Sequence, residues 1–145
     1  MQDNNTARVT EQVAREPQDC DRILIAAVEA GDLETSVALY EAGAVLFKKS
    51  GEAMHGHDAI RAANAALIAI KPHFTIEFIK TTVNKEGDLA TTRMKAQLNG
   101  TRADGRAAQD TVHTLEVVRR QADGTWRYVI DDPYGSMRES MKERS

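Results

Sequence analysis

Asp123-Gly124-Thr125-Trp126-Arg127-Tyr128-Val129-Ile130-Asp131-Asp132-Pro133-Tyr134-Gly135 is the stretch that decides the fold. Asp-Gly is a hairpin-turn dipeptide, because glycine takes the positive φ that the turn requires. From Trp126 the chain alternates, with Tyr128, Ile130 and Asp132 on one side and Arg127, Val129 and Asp131 on the other. That is a strand. Pro133 stops it, having no N–H for a ladder. Two carboxylates stand at its end. If the strand closes a curved sheet, one of them points into the concave side.

Working back from there, three more runs alternate with period two. They are Phe74, Ile76 and Phe78; then Ala90, Thr92, Met94, Ala96 and Leu98; then His113, Leu115 and Val117. Turn glycines separate them at Glu86-Gly87, Asp104-Gly105 and Asp123-Gly124. Reading Lys85-Glu86-Gly87 as a three-residue loop, and the other two as two-residue turns, sets a register. Phe78 then faces Met94 and Ile76 faces Ala96. Met94 faces Leu115, Ala96 faces His113, Leu115 faces Asp132 and Val117 faces Ile130. All the apolar sets fall on one face, and Asp132 lies in the row Phe78, Met94, Leu115. His113 is one row away, roughly 7–8 Å diagonally from Asp132. A slip of one residue would turn a strand inside out.

Before Pro72 the period is helical. Pro17 suits a first helical position, and Cys20, Ile23, Leu24, Ala27 and Val28 follow at helical spacing up to Gly31. Asp32 caps a second short helix carrying Leu33, Val37 and Tyr40, ended by Gly43. Ala44-Val45-Leu46-Phe47 is a short strand, and a third helix runs from Gly56 to Lys71-Pro72. Three helices and a short strand followed by a four-strand meander make an α+β domain, with helices on one face of an antiparallel sheet. The expected division is a polar tail over 1–16, one domain over 17–135 and a polar tail over 136–145.

The chain has 145 residues, enough to bury roughly 68–70% of its unfolded surface without a staple. Its net charge of −3, with no basic block, argues against nucleic acid. No apolar run is long enough to span a bilayer, and residues 1–16 lack the apolar core of a secretory signal. The single cysteine, Cys20, forms no intramolecular disulfide and fits a reducing, cytoplasmic setting. His55 and His57 offer two metal-ligand types with no third. No phosphate loop or nucleophile elbow occurs. Neither a metal nor a cofactor is therefore expected.

The chain resembles the NTF2-like superfamily, the cone-shaped α+β fold of ketosteroid isomerase, scytalone dehydratase and the SnoaL-like cyclases, and within it the SnoaL-like or DUF4440-like group. The resemblance rests on Ala38-Leu39-Tyr40 with Ala44-Val45-Leu46-Phe47, on Gly56-His57-Asp58-Ala59-Ile60-Arg61, and on Asp123 to Trp126 with Asp132-Pro133. It implies a cystatin-like cone enclosing a cavity between the helices and the concave sheet. One departure matters. Where isomerases carry a general-base aspartate, this chain reads Phe47-Lys48-Lys49-Ser50, so that proton-abstracting residue does not carry over.

On this reading Asp132, poorly solvated among Phe78, Met94 and Leu115, donates or shuttles a proton. His113 partners it, as a dehydratase of the superfamily would require. Tyr40 is expected, by resemblance, to present its hydroxyl to the cavity. Met94, Phe78, Leu115, Ala96, Ile76 and Tyr134 would line it around a small, partly apolar ligand. Each residue also has a structural reading. Asp132 can bond its own turn backbone, His113 can be a satisfied core histidine, Tyr40 a core aromatic, and Tyr134 a residue packed on the turn. Two functions follow: a cofactor-independent lyase or isomerase, or a non-catalytic binding or dimerisation module. The opposite sheet face, expected to carry Ile79, Val112, Val118 and Val129 among charges, suits a homodimer interface.

Overall fold

A computed structural model describes residues 13–135. The elements are α1 (Asp19–Ala30), α2 (Leu33–Ala38), β1 (Tyr40–Phe47), β2 (Ala53–His55), α3 (Gly56–Ala69), β3 (His73–Val83), β4 (Leu89–Thr101), β5 (Ala107–His113), β6 (Leu115–Arg120) and β7 (Trp126–Asp132). The expected tail over 136–145 lies outside the described residues, as does 1–12 of the other. Residue 14 does not behave as tail: Ala14 is buried, and its carbonyl accepts the Trp126 N–H at 2.8 Å.

Local chemistry sets the helices. Acidic Asp19 and Asp21 sit in the first turn of α1, where the helix dipole favours them. Gly31 ends the helix at φ 75°, its N–H returning to carbonyls of the last turn. Asp32 caps α2, accepting the Thr35 N–H at 3.2 Å and the Thr35 hydroxyl at 2.7 Å, a contribution of about 1 kcal/mol. Tyr40 is the first residue of β1 rather than the end of α2, and Gly43 lies within that strand. A helix of six residues needs tertiary support, and α2 gets it from Val37 and Ser36, both buried. Gly100 admits no side chain, since a Cβ there would stand 2.7 Å from the Ile70 carbonyl at the end of α3.

The sheet runs β2-β1-β7-β6-β4-β3, with β5 continuing the β6 side of β4. It is mixed: β1 lies parallel to β7, and the remaining pairs are antiparallel. The register agrees with expectation at Ile76–Ala96, Leu115–Asp132 and Val117–Ile130. It differs elsewhere, because each hairpin loop is one residue longer than expected. Arg102 pairs Arg106 around Ala103-Asp104-Gly105, with Gly105 left-handed at φ 86°. Bulges between Ile76 and Phe78, and between Val117 and Val118, absorb the extra residue in the first and third hairpins. The middle hairpin has no such bulge, so His113 faces Lys95 and Val112 faces Ala96.

That single uncompensated residue inverts β5 and β6. Val112, Thr114, Glu116 and Val118 face the helices and are buried, whereas His113, Leu115 and Val117 face outward and are half-buried. Because Leu115 keeps Asp132 as its partner, Asp132 turns outward with it and Asp131 turns inward beside Glu116. The core has two parts. One joins Cys20, Ile23, Leu39, Tyr40, Ile60, Val118, Trp126 and Tyr128; the other joins Ile25, Met94, Ala96 and Val112.

Candidate functional site

Between α1, α3 and the concave sheet lies a cavity of about 500 Å³. Most of its wall is apolar, with Leu24, Val28, Leu67, Phe74, Met94 and Leu98 among the lining side chains. Its polar groups are concentrated. Asp21, Tyr40, Thr114, Glu116 and Asp131 form the buried end, and Lys48 and Lys49, both half-exposed, stand at the rim with Tyr134. Lys49 Nζ is 3.1 Å from Asp110 and 5.5 Å from the centre of the Tyr134 ring.

Five elements meet at the buried end. Residue 131 projects there because β7 runs beside β1, and the Tyr40 hydroxyl donates to Asp131 Oδ2 at 2.5 Å. The Tyr128 hydroxyl, two strand positions back plus one bulged residue, donates to Asp21 Oδ1 of α1 at 2.6 Å. Glu116 faces Asp131 across the β6–β7 ladder and Thr92 across the β4–β6 ladder, and accepts the Thr92 hydroxyl at 2.7 Å. The Tyr40 and Tyr128 rings stack at 4.8 Å between centroids. Asp21, Glu116 and Asp131 are each at most 3% exposed.

Three carboxyls in one apolar recess cannot all ionise at ordinary pH. Burial pushes Asp131 up to about 7, opposed by the Tyr40 hydrogen bond and reinforced by the charges of Asp21 and Asp132. Burial pushes Asp21 up to about 6, opposed by the Tyr128 hydroxyl. Glu116 is held well above the carboxylate range by burial and by Asp21 and Asp131. It is the acid of the cluster. Tyr40 and Tyr128 are raised by burial and by the neighbouring carboxylates, so both remain hydroxyl donors. Burial likewise raises the Cys20 thiol, followed by the charge of Asp21, and leaves it unreactive.

Of the residues expected at the site, Tyr40, Met94 and Tyr134 line the cavity. Asp132, His113, Phe78, Leu115, Ala96 and Ile76 do not. Ala96 is buried in the core beneath, and Ile76 faces inward on β3 but is 39% exposed. Phe78 and His113 meet on the outer face, edge to face at 6.0 Å. Asp132 Oδ1 accepts the Gly135 N–H at 2.9 Å, the turn geometry that was its structural alternative. The expected Asp132–His113 pair is thus replaced in the cavity by Asp131 and Glu116. Reading Ala103-Asp104-Gly105 as a three-residue loop would have revealed this from sequence. Asp21 carried no signal of its own, sitting in α1 between Cys20 and Arg22. Among the described residues, no group of three or more His, Cys, Asp or Glu side chains is arranged to hold a metal ion.

The outer face also changes. Ile79, Val112 and Val118 point inward, and the apolar side chains facing out include Phe78, Leu89, Leu115, Val117 and Ile130, with Phe78 42% and Ile130 38% exposed. No helix among the described residues is long and apolar enough to cross a membrane.

The sequence model of the SnoaL-like domain matches residues 22–129. No curated protein matches significantly. Several solved structures share the fold. Aln2 from a Streptomyces species superposes with a TM-score of 0.69 at 17% identity, covering 99% of both chains. A ketosteroid isomerase-like protein from Erwinia carotovora atroseptica gives 0.66 at 19%, over 90% of this chain and 95% of that one. An NTF2-like protein with a cystatin-like fold from Novosphingobium aromaticivorans gives 0.65 at 21%, over 87% and 82%.

Proposed function

The chain belongs to the SnoaL-like family of the NTF2-like fold, and from that premise we propose that it binds a small, partly apolar molecule and acts on it as a cofactor-independent lyase or isomerase. Asp131 is the proton-transferring group. The observation that carries this is its setting: a carboxyl of the cavity wall, 2% exposed, with Oδ2 held by the Tyr40 hydroxyl and Oδ1 buried without a hydrogen-bond partner. A pKa brought near neutrality by burial suits a group that must both take and return a proton. Tyr40 positions it, and Glu116, the cluster's acid, stands ready to protonate a leaving oxygen.

The test needs no known substrate. A panel of enolisable ketones and β-hydroxy carbonyl compounds is incubated in D2O with the wild type, Asp131→Asn and Asp132→Asn, and followed by NMR. Deuterium uptake or water loss should occur with the wild type and Asp132→Asn and vanish with Asp131→Asn. Binding without any turnover across the panel supports the second reading, a non-catalytic ligand-binding module. That reading draws on the outer sheet face, where exposed Phe78 and Ile130 beside Leu115 and Val117 suit a second copy of the chain. Light scattering on the wild type and Phe78→Asp checks the homodimer.

A further inference from the structure

Hydrogen-bond donors run out at the buried end of the cavity before its acceptors do. The hydroxyls of Tyr40, Tyr128 and Thr92 are each committed to one carboxyl oxygen, on Asp131, Asp21 and Glu116 respectively, and the Thr114 hydroxyl is turned to Glu116. Asp21 Oδ2 and Asp131 Oδ1 are left, both buried, neither accepting a hydrogen bond from a hydroxyl or N–H. Glu116 adjoins both carboxyls and as an acid has one proton, so it can satisfy one of these two oxygens at a time. A buried acceptor left over costs about 1–3 kcal/mol.

No cation among the described residues supplies the deficit. Arg22 is the basic residue beside Asp21 on α1, and its side chain is 57% exposed, turned to Asp19 at 3.7 Å. Lys48 and Lys49 lie at the rim, paired with Glu52 at 3.4 Å and Asp110 at 3.1 Å. Among the described residues, the titratable and hydroxyl groups around the two oxygens are Cys20 from α1, Tyr40 from β1, Thr92 from β4, Glu116 from β6, and Tyr128 with neighbouring Asp132 from β7. None of them is a cation. Apart from Asn64, whose Nδ2 donates to Ser36, and Thr114, the rest of the cavity wall inside the rim is aliphatic and aromatic.

We propose that the natural ligand of this cavity is an apolar molecule bearing a protonated amine, with the ammonium donating to Asp21 Oδ2 and Asp131 Oδ1 and the apolar body lying against Leu24, Val28, Leu67, Phe74 and Met94. This rests on the reading that the cavity is the functional site, and it specifies the ligand of the second, binding reading, since an ammonium on Asp131 Oδ1 occupies the oxygen that would otherwise take a proton. An ammonium supplies the donors and the positive charge that the recess lacks. An anionic ligand would set its charge against two carboxyl oxygens. On binding, the ammonium gives one N–H to each of the two oxygens, and the single proton that the carboxyls shared leaves to solvent. Affinity should therefore rise with pH, by up to about tenfold per unit while a proton must be displaced, and level off once the carboxyls are ionised.

Titration calorimetry with three probes of one shape tests this: phenethylammonium, neutral phenethyl alcohol and anionic 3-phenylpropionate. At pH 8 the ammonium should bind at least tenfold tighter than the alcohol, and the carboxylate weakest. The ammonium's advantage should shrink by pH 5, and buffers of different ionisation enthalpy should show proton release. Asp21→Asn, which keeps an acceptor for the Tyr128 hydroxyl, should weaken the ammonium at least tenfold. If that variant misfolds, the pH dependence and proton release of the wild type decide alone. Equal or tighter binding of the alcohol or carboxylate, or pH-independent binding of the ammonium, overturns the ligand class and leaves the cavity reading standing. Failure of all three probes to bind overturns both.

Discussion

Asp131 takes a hydroxyl from Tyr40 inside the cavity, whereas Asp132, one residue on, takes the Gly135 N–H from its own turn. Both side chains are nearly inaccessible, at 2% and 7%. What separates them is the company they keep. Asp131 faces two other carboxyls and an empty volume, and its second oxygen has no partner among the described residues. Asp132 closes a structural turn on the far side of the strand. Burial alone does not mark a reactive group; burial with an unspent acceptor in a cavity wall does.

The largest expected difference between them is catalytic. Once a substrate is found, Asp131→Asn should lower kcat by about 10²–10⁴, the usual share of a positioned acid or base. Asp132→Asn, which keeps an acceptor for Gly135, should leave kcat within a factor of a few. Equal losses in both variants would erase the distinction and point to a general effect of the turn on the cavity.

Stability against pH sharpens the same contrast. Asp131 and Asp21 have folded-state pKa values near 7 and 6, above the unfolded carboxylate value of about 3.9. The native state thus holds protons that the unfolded chain has released. Stability from these groups is full below about pH 4 and is lost as pH rises through 6 and 7, on the order of a few kcal/mol. Denaturant midpoints measured between pH 4.5 and 8 should fall with rising pH more steeply for the wild type than for Asp131→Asn. A profile unchanged by that substitution would mean the cluster is solvated.

Tyr40→Phe comes next in size. It strips Asp131 Oδ2 of its donor and should cost about 1–3 kcal/mol at pH 8. The cost should be smaller at pH 5, where a protonated Asp131 has less need of a donor. Losing that bond also removes what opposes burial, so the Asp131 midpoint should move further up in a carboxyl-carbon NMR titration. A midpoint that stays or falls would contradict the assigned hydrogen bond.

Much of this was legible in the residues. The α+β class, the three helices, the turn glycines and the inward placement of Met94 follow from period and turn chemistry. The carboxyl at the end of β7 was legible too, but which of Asp131 and Asp132 was not. Parity over a seven-residue strand depends on every loop before it, and Ala103-Asp104-Gly105 closes as a three-residue loop with left-handed Gly105. One residue there exchanges His113 for Thr114 and Asp132 for Asp131. Bulges in β3 and at the β6–β7 ladder hid the same miscount elsewhere. The parallel pairing of β1 with β7, which brings Tyr40 to Asp131, leaves no local mark in sequence at all.

The smallest effect belongs to Asp132, and it couples the two carboxyls directly. Asp132→Ala removes the acceptor for the Gly135 N–H and should cost about 1 kcal/mol, seen in the denaturant midpoint. Asp132→Asn should cost less than about 0.5 kcal/mol, since the amide oxygen accepts the same bond. Both variants remove a negative charge that helps to hold Asp131 above its ordinary range. Both should therefore shift the Asp131 midpoint slightly downward, although only one of them weakens the turn. An Asp131 titration that moves in Asp132→Ala and stays fixed in Asp132→Asn would show that the turn, rather than the charge, sets the acidity of the cavity. Movement in both by the same amount shows that Asp132 acts on the site through its field alone.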